Sequence, residues 1–504
     1  MMKRFTAPFQ QVRRRHTAAV EQPHARERTA MESNRRDFLK VAGATAGVTM
    51  LSGSFLNAPV AAAEEHAAIP MAESPWDQVP AILAKIVPPT FPDAKFDITA
   101  YGAKGDGRAK NTEAFKKAIE ACNAAGGGQV VVPKGSFLTG AITLLSNVNL
   151  VVSEGATVKF STDPKDFPLV YTRWQGIECM NFSSFIYARK AENIAITGPG
   201  LIDGQGPSGP WFDYDDKRQP DWEQLQKWAV DNKPVTDRKF GMGHYLKPNM
   251  ITLYECRNVL VEGVRLRNSA MWNVHPVLST NVTIRDIFVY SRGGMVDGCD
   301  PEASQYVHIT GCRFDCGDDG IAIKAGRDVD GRRIGVASEN IVIENCSFEG
   351  RWGALTVGSE MSGGVRNVFF QDCTVKKGSS YKPFHVLYIK TNKRRGGTVE
   401  NIHARRIKAT DVDREAIMVT LNYSLTGPGY GPIVNPKVQN ITADGFTVNG
   451  VEKTAVTLDG LAESHIKNVQ ISNSTFTGVT TAKPSVKNAD GTTFTNVTIN
   501  GKKV

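Results

Sequence analysis

Apolar and polar residues alternate with period two along most of this chain, and the alternation restarts repeatedly at an Asn-Val or Asn-Ile pair. The pattern reads NVLVEGVRL from residue 258, NVTIRDIFV from 281, YVHITGCRF from 306 and NIVIENCSF from 340. It continues as NVFFQDCTV from 367, NIHARRIKA from 401, NITADGFTV from 440, NVQISNSTF from 468 and NVTING from 496. Successive copies start 23 to 39 residues apart, the spacing of solenoid coils. Each copy alternates as a strand with one face inward should. Six residues past the start of seven copies stand Val264, Ile287, Cys312, Cys346, Cys373, Ile407 and Phe446. Stacked coils would bury that column as one ladder, with its cysteines acting as small apolar side chains. The asparagines would form a second ladder, their side chains satisfying the backbone of turns. Helical periodicity is scarce after residue 125, which argues against strands alternating with helices. The expected fold class is all-β, a parallel β-helix.

One segment departs from this rhythm near the N-terminal side. Residues 96–140 read as a strand, a Gly-rich turn and a helix with Phe115, Ala118, Ile119 and Cys122 at i, i+3, i+4 and i+7. Asn111 is the expected N-cap, and Gly126-Gly127-Gly128 should stop the helix. Such a helix would cover the open apolar end of the stack, as solenoids require. GAKGDG lacks the lysine pattern of a phosphate-cradling loop. Residues 64–93 are Pro/Ala-rich and read as a linker and lead-in to a domain spanning 94–504. Residues 205–250, with Trp211, Trp222 and Trp228, break the repeat and read as a long, partly helical insertion beside a cleft.

The N-terminus suggests a destination. Asn34-Arg35-Arg36-Asp37-Phe38-Leu39-Lys40 resembles a twin-arginine export motif, followed by a weakly apolar run ending at Ala61-Ala62-Ala63. Residues 1–63 are therefore expected to be a signal peptide, with Met31 an alternative start, and the protein to be periplasmic or secreted. The many Gly, Ser and Thr residues of the run disfavour a stable membrane anchor, and no second apolar span follows. The net charge of +9 is concentrated in this leader: its first 63 residues hold ten Lys and Arg against four Asp and Glu, leaving +3 elsewhere. A basic-patch argument for nucleic acid fails on that count. All eight cysteines follow the leader without a C-x-x-C pair, and a chain exported folded need not rely on disulfides, so burial is expected.

Candidate chemistry concentrates in DGCDPEASQYVHITGCRFDCGDDGIAIK, residues 297–324. Asp297, Asp300, Asp318 and Asp319 lie among short apolar runs, with Gly317 and Gly320 bracketing the Asp318-Asp319 pair. Adjacent carboxylates in a strand context repel and are hard to desolvate, which pushes at least one pKa up. A further carboxylate one coil earlier makes a cluster suited to acid/base work on a sugar oxygen. By residue type alone, a solvated acidic loop or a calcium site is also open.

DGCDPEAS and CGDDGIAIKAG resemble the double signature of the polygalacturonases, glycoside hydrolase family 28. The resemblance implies a right-handed β-helix with an N-terminal helical cap that hydrolyses pectic polysaccharide with inversion, without cofactor or metal. It implies Asp318 as general acid, and Asp297 with Asp319 as the pair activating water. Two such carboxyls in an inverting enzyme are typically about 6.5–9.5 Å apart, a separation that residues on successive coils about 4.8 Å apart were expected to reach. Asp318 and Asp319 would need a bend to converge; Asp300 is expected to support a turn. By the same resemblance His275, in WNVHP, lines the cleft, and Glu360, in GSEMSGG, orders it or binds sugar hydroxyls. Three positions depart from the family pattern. Met295 replaces an Asn, Trp352 replaces the His of a Gly-His-Gly turn, and Tyr388-Ile389-Lys390 replaces an Arg-x-Lys pair that holds a uronate carboxylate. Trp352 and Tyr388 offer stacking faces in place of charge, with Lys390 the surviving cation. The expected substrate is accordingly a branched, rhamnose-containing or decorated galacturonan, and the expected state a monomer free of membrane and nucleic acid. The alternatives are a β-helix polysaccharide lyase and a non-catalytic carbohydrate-binding solenoid.

Overall fold

Register between coils decides the architecture, and it follows the repeated motif residue by residue. Val259 pairs with Val282, Val282 with Val307, Val307 with Ile341 and Ile341 with Val368, all in parallel. The column continues through Ile402, Ile441 and Val469. These coordinates are a computed structural model that describes residues 74–423 and 430–504, all within one unit, Pro70–Val504. The leader, including the Arg35-Arg36 motif, lies outside the described residues.

Most coils contribute three strands. The first begins at the repeated asparagine, as in Thr280–Arg285, and the second follows a turn, as in Phe288–Ser291. The third runs through Ile251–Tyr254, Val274–Val277, Ile321–Ile323, Gly353–Gly358, His385–Lys390, Ile417–Thr420 and Val456–Asp459. Cys299 bridges Val274 to Ile321 and so joins that last series into one face. The inward residues meet as a single apolar core running the length of the stack. The fold is the expected parallel β-helix.

Both expected ladders form. Val264, Ile287, Cys312, Cys346, Cys373, Ile407 and Phe446 are buried, and all eight cysteines are buried free thiols. Asn258, Asn281, Asn340, Asn367, Asn401, Asn440 and Asn468 all adopt φ between 53° and 57°. Asparagine tolerates this left-handed conformation better than other non-glycine residues. Their amides also bond to one another between coils, Asn258 Nδ2 to Asn193 Oδ1 at 2.9 Å and Asn401 Nδ2 to Asn367 Oδ1 at 3.1 Å. Tyr306 interrupts the ladder, and there the N-terminal segment docks. Val87 exchanges two 2.9 Å hydrogen bonds with the Asn281 side chain, and Lys85 Nζ reaches Tyr306 Oη at 3.2 Å.

Part of the stretch read as linker is therefore structured. Helix α1 (Val79–Ala84) packs Val79 and Ile82 onto Val342 and Phe369, two outward apolar side chains that would otherwise face water. Helix α2 (Thr112–Ala124) buries Phe115, Ala118, Ile119 and Cys122 over the first coils. Asn111 occupies the N-cap position but does not cap with its side chain. Its amide instead bonds the backbone of Lys104, Ala109 and Leu138, tying the preceding loop together. Gly126 ends the helix at φ 90°. Residues 205–250 carry helix α3 (Gln219–Val230), whose Trp222 and Leu225 pack with Trp174, Phe240 and Trp272 in a separate cluster. No described helix is long and apolar enough to cross a membrane.

The ladder makes one expectation quantitative. Asn401→Ala should destabilise the protein by about 1–3 kcal/mol, because it adds left-handed strain and loses two amide bonds. Asn401→Gly, which keeps the backbone conformation, should cost less. Guanidinium denaturation midpoints of the two variants measure the difference.

Candidate active site

The acidic stretch folds into the bend between the second and third strands of one coil. Asp318 and Asp319 lie between strands Arg313–Cys316 and Ile321–Ile323. The bend is tight at Gly317, where a Cβ would lie 2.2 Å from the Gly293 carbonyl oxygen. Asp297 stands one coil earlier at the position matching Asp319: Asn273 N–H donates to the Asp297 carbonyl, and Gly298 N–H to that of Asp319. One carboxylate oxygen from each of Asp297, Asp318 and Asp319 lies within 4.8 Å of the others. The bend thus lets adjacent residues converge as expected. Coil stacking brings the third carboxyl, Asp297, to the same bend.

The two adjacent aspartates have different surroundings. Asp319 is buried, and its Oδ1 accepts from Gly353 N–H (2.8 Å) and Thr356 Oγ1 (2.9 Å). Its Oδ2 sits 2.7 Å from Lys390 Nζ. Burial alone would raise its pKa, but Lys390 and Lys324 outweigh it and hold the carboxyl below its ordinary value. Asp318 is half-buried and has no ion-pair partner among the described residues. Its oxygens accept the backbone N–H groups of Met295 (2.9 Å) and Asp319 (3.0 Å). Burial, then Asp297 and Asp319, push it up to about 8. One member of the pair thus carries a proton at neutral pH while its neighbour is ionised. Met295, where the family pattern has Asn, contributes through its main chain.

Below this pair lies a charged layer that residue types alone did not single out. Lys324 Nζ lies 3.6 Å from Asp297, 3.4 Å from Asp300 and 3.5 Å from Glu360. Burial opposes its charge, but Glu360, Asp300 and Asp297 hold it above the usual lysine range. Asp300 is buried against Asp297 and raised to about 7, chiefly by burial. Burial and then Asp300 also raise Asp297, with Lys324 opposing. Glu360 is nearly buried; Lys324, Arg327 and Arg395 overcome that burial and bring it to about 2. It also accepts a 3.0 Å bond from Ser359 Oγ. Its carboxylate faces Lys324 at 3.5 Å and Arg327 at 3.7 Å. Arg327, at the start of helix α4 (Asp328–Ile334), lies 4.6 Å over the ring of Trp222 and donates to Gln175 Oε1 at 3.2 Å. Burial and Arg395 lower its pKa to about 10. The signal for Lys324 was present in the sequence: a lysine ending the buried run IAI requires carboxylate partners.

The remaining expected residues divide. Trp352 is half-buried near the cluster, 4.9 Å from Phe384, with Lys390 Nζ 6.0 Å from its ring. Tyr388 lies 5.0 Å from the same ammonium and is almost covered. Lys390, expected to hold a substrate carboxylate, is engaged by Asp319. His275 does not line the cleft. It is fully buried, with Nδ1 2.9 Å from Asn249 Nδ2 and Nε2 2.8 Å from Glu302, which is itself held by Arg173 at 3.0 Å. Burial keeps its pKa down, so it is a neutral structural histidine. The resemblance implied a place in the cleft, but Glu302, held by Arg173 of the hairpin Leu169–Phe182, closes over the ring.

The protein has recognisable relatives. A solved structure described as a hyperthermoactive exopolygalacturonase from Thermotoga maritima superposes with a TM-score of 0.80 at 40% identity, covering 85% of this chain and 96% of that one. A probable polygalacturonase from Vitis vinifera is 29% identical over 388 residues, 74% of this chain and 72% of the relative. An exo-poly-alpha-D-galacturonosidase from Dickeya chrysanthemi is 28% identical over 359 residues, 65% of this chain and 57% of that protein. Residues 122–498 match the profile of Glycosyl hydrolases family 28, and with the carboxyl cluster in a parallel β-helix this identifies the chain as a member of that family, a glycoside hydrolase of the polygalacturonase kind.

Proposed function

We propose that this hydrolase acts on galacturonan, with Asp318 as general acid and Asp319, assisted by Asp297, as the base that activates water. The observation that carries the assignment is the unequal environment of the adjacent pair. Asp318 is the more accessible carboxyl and lacks a counter-cation, so it holds a proton to give to the glycosidic oxygen. Asp319 is kept anionic by Lys390 and takes a proton from water. Attack from the side opposite the leaving group would invert the anomeric centre, and proton NMR of the first-formed product reads that outcome. Exo action is the preferred mode, since the Thermotoga and Dickeya relatives carry exo names. Branched and rhamnose-containing galacturonans belong in the same screen, because Trp352 and Tyr388 offer rings near Lys390.

A calcium-dependent lyase is disfavoured by charge. Ammonium groups 2.7 Å from Asp319 and 3.6 Å from Asp297 already supply the positive charge that a metal would bring. Chelator should leave turnover unchanged, and no unsaturated product should absorb in the ultraviolet. Export through the twin-arginine route is part of the same proposal, and Arg35→Lys with Arg36→Lys should retain the protein in the cytoplasm on cell fractionation.

Replacing Asp318 with Asn should lower kcat by about 10²–10⁴ while leaving oligogalacturonide affinity within a few-fold; calorimetric titration and initial rates measure the two quantities. Undiminished kcat would remove Asp318 from the acid role.

The pH–rate profile carries a second test. Asp318 works protonated, so activity should fall as pH rises through about 8. Asp297 must be ionised to assist, so the acidic limb should lie above the usual carboxylate range. Asp300→Asn removes a repelling charge beside Asp297 and should move that limb to lower pH. Lys324→Gln removes the opposing cation and should move it higher. The basic limb should stay near its wild-type position in both variants. Limbs that do not move, with only a loss of amplitude, would reduce Lys324 and Asp300 to structural parts.

A further inference from the structure

The outward face of the second series of strands carries cations that the fold itself does not use. Strand Arg265–Arg267 presents both arginines outward, with Leu266 buried between them. Both are exposed, and neither guanidinium has a hydrogen-bond or ion-pair partner among the described residues. Their neighbours on the stack are paired: Arg285 with Glu262 at 2.5 Å, Arg313 with Glu349 at 2.7 Å and Arg292 with Asp315 at 2.8 Å. Arg265 stands in register with Leu201 and Phe288, and Arg267 with Asp203 and Tyr290. Leu201, Arg265, Leu266, Arg267, Phe288 and Tyr290 line an open concavity of about 360 Å³. Its rings are flanked by further cations, Arg313 lying 4.7 Å from the Phe288 centroid and Arg292 4.1 Å from that of Tyr290. Lys159 extends the Arg267 column by one coil. Asp203 is the carboxylate beside it, and its Oδ1 already accepts from Gln205 N–H and Asn268 Nδ2.

We propose that this concavity is a second binding site, outside the catalytic cleft, for a uronate-bearing segment of an acidic polysaccharide. The proposal rests on the galacturonan reading above for the polymer's identity. The planar guanidinium fork matches a carboxylate with two parallel bonds. An aromatic face beside it accepts the apolar face of a pyranose. Coils stack about 4.8 Å apart, comparable to the length of one sugar ring, so the arginines of one coil and the rings of the next meet successive residues of an extended chain. Strand Arg313–Cys316, next in the Tyr290 column, runs directly into Gly317 and Asp318. The concavity and the cleft are thereby carried by neighbouring coils of one rigid stack, and a polymer held at the first is retained close to the second.

The test compares the full-length wild type with an Arg265→Gln/Arg267→Gln double variant, with Tyr290→Ala as a second probe. Kinetics are measured on long polygalacturonate and on trigalacturonate, and mobility in gels containing polygalacturonate, neutral galactan or dextran sulfate. The double variant should show KM on the polymer raised about threefold to tenfold, with kcat and all trimer constants unchanged. Polygalacturonate should retard the wild type more than the variants, and neutral galactan should retard neither. Unchanged polymer KM and mobility would overturn the proposal. Equal retardation by dextran sulfate would overturn it too, leaving bare charge attraction, and a changed trimer KM would assign the arginines to the cleft instead. Should the wild type cleave no galacturonan, the functional reading falls by itself, and gel retardation still decides whether the second site exists.

Discussion

Several carboxyls crowded into one bend, away from water, would all tend to take up protons, and a cluster with no ionised member has no base. Lys390 prevents this by standing 2.7 Å from one member of the adjacent pair and leaving the other alone. The contact depends on coil register. Lys390 ends a third-series strand in register with Gly358, and Thr356 of that preceding strand donates to the same carboxylate. A slip of that strand by one residue would turn Lys390 to the opposite face and take its ammonium away from Asp319. The opposite pKa shifts of Asp318 and Asp319 are therefore a property of the stack, and the asparagine and apolar ladders that fix its register also support them.

A second layer of charge tunes the first. Lys324 is surrounded by Asp297, Asp300 and Glu360 at 3.4–3.6 Å, and Glu360 in turn faces Arg327 at 3.7 Å. Removing Lys324 would leave these buried carboxyls without the cation they share. Lys324, Lys390, Arg327 and Arg395 face Asp297, Glu360, Asp319 and Asp328, while Asp318 and Asp300 are raised toward their protonated forms. The cation expected to meet the sugar is occupied by Asp319.

Much of this was legible in the sequence because the relevant signals are local. Period-two alternation and the Asn-Val restart describe single coils, and parallel stacking then fixes the Cys312, Cys346 and Cys373 column without further information. Asp297, Asp318 and Asp319 were visible as a spacing of one coil and as an adjacent pair between glycines. What escaped depends on contacts between distant segments. His275 alternates outward on its strand, and only the arrival of Arg173, about a hundred residues earlier, converts that position to interior. Asn111 has the composition of a cap, but a loop closing over it claims the amide. The α1 segment looked like linker because its partners, Val342 and Phe369, sit on the outer side of strands over 250 residues away.

A stack of rigid coils has little means of changing shape around a substrate, since the strands of its inner coils are paired on both sides. Discrimination between pectic polymers must then come from what is added at the rim, and here the additions come from outside the repeat. Trp222 on α3 supports Arg327 at the start of α4, and Arg327 in turn steadies Gln175 of the loop joining the two strands of the Leu169–Phe182 hairpin. Gln175 closes the circuit by donating to the sulfur of Met295, whose backbone holds Asp318. The insertion is thereby coupled by direct contacts to Asp318. Changes in the insertion are free to alter the surroundings of the cleft while the coils keep Asp297, Asp318 and Asp319 in place, and this separation accounts for a carboxyl cluster that stands beside Met295, Trp352 and Tyr388, the positions that depart from the family pattern.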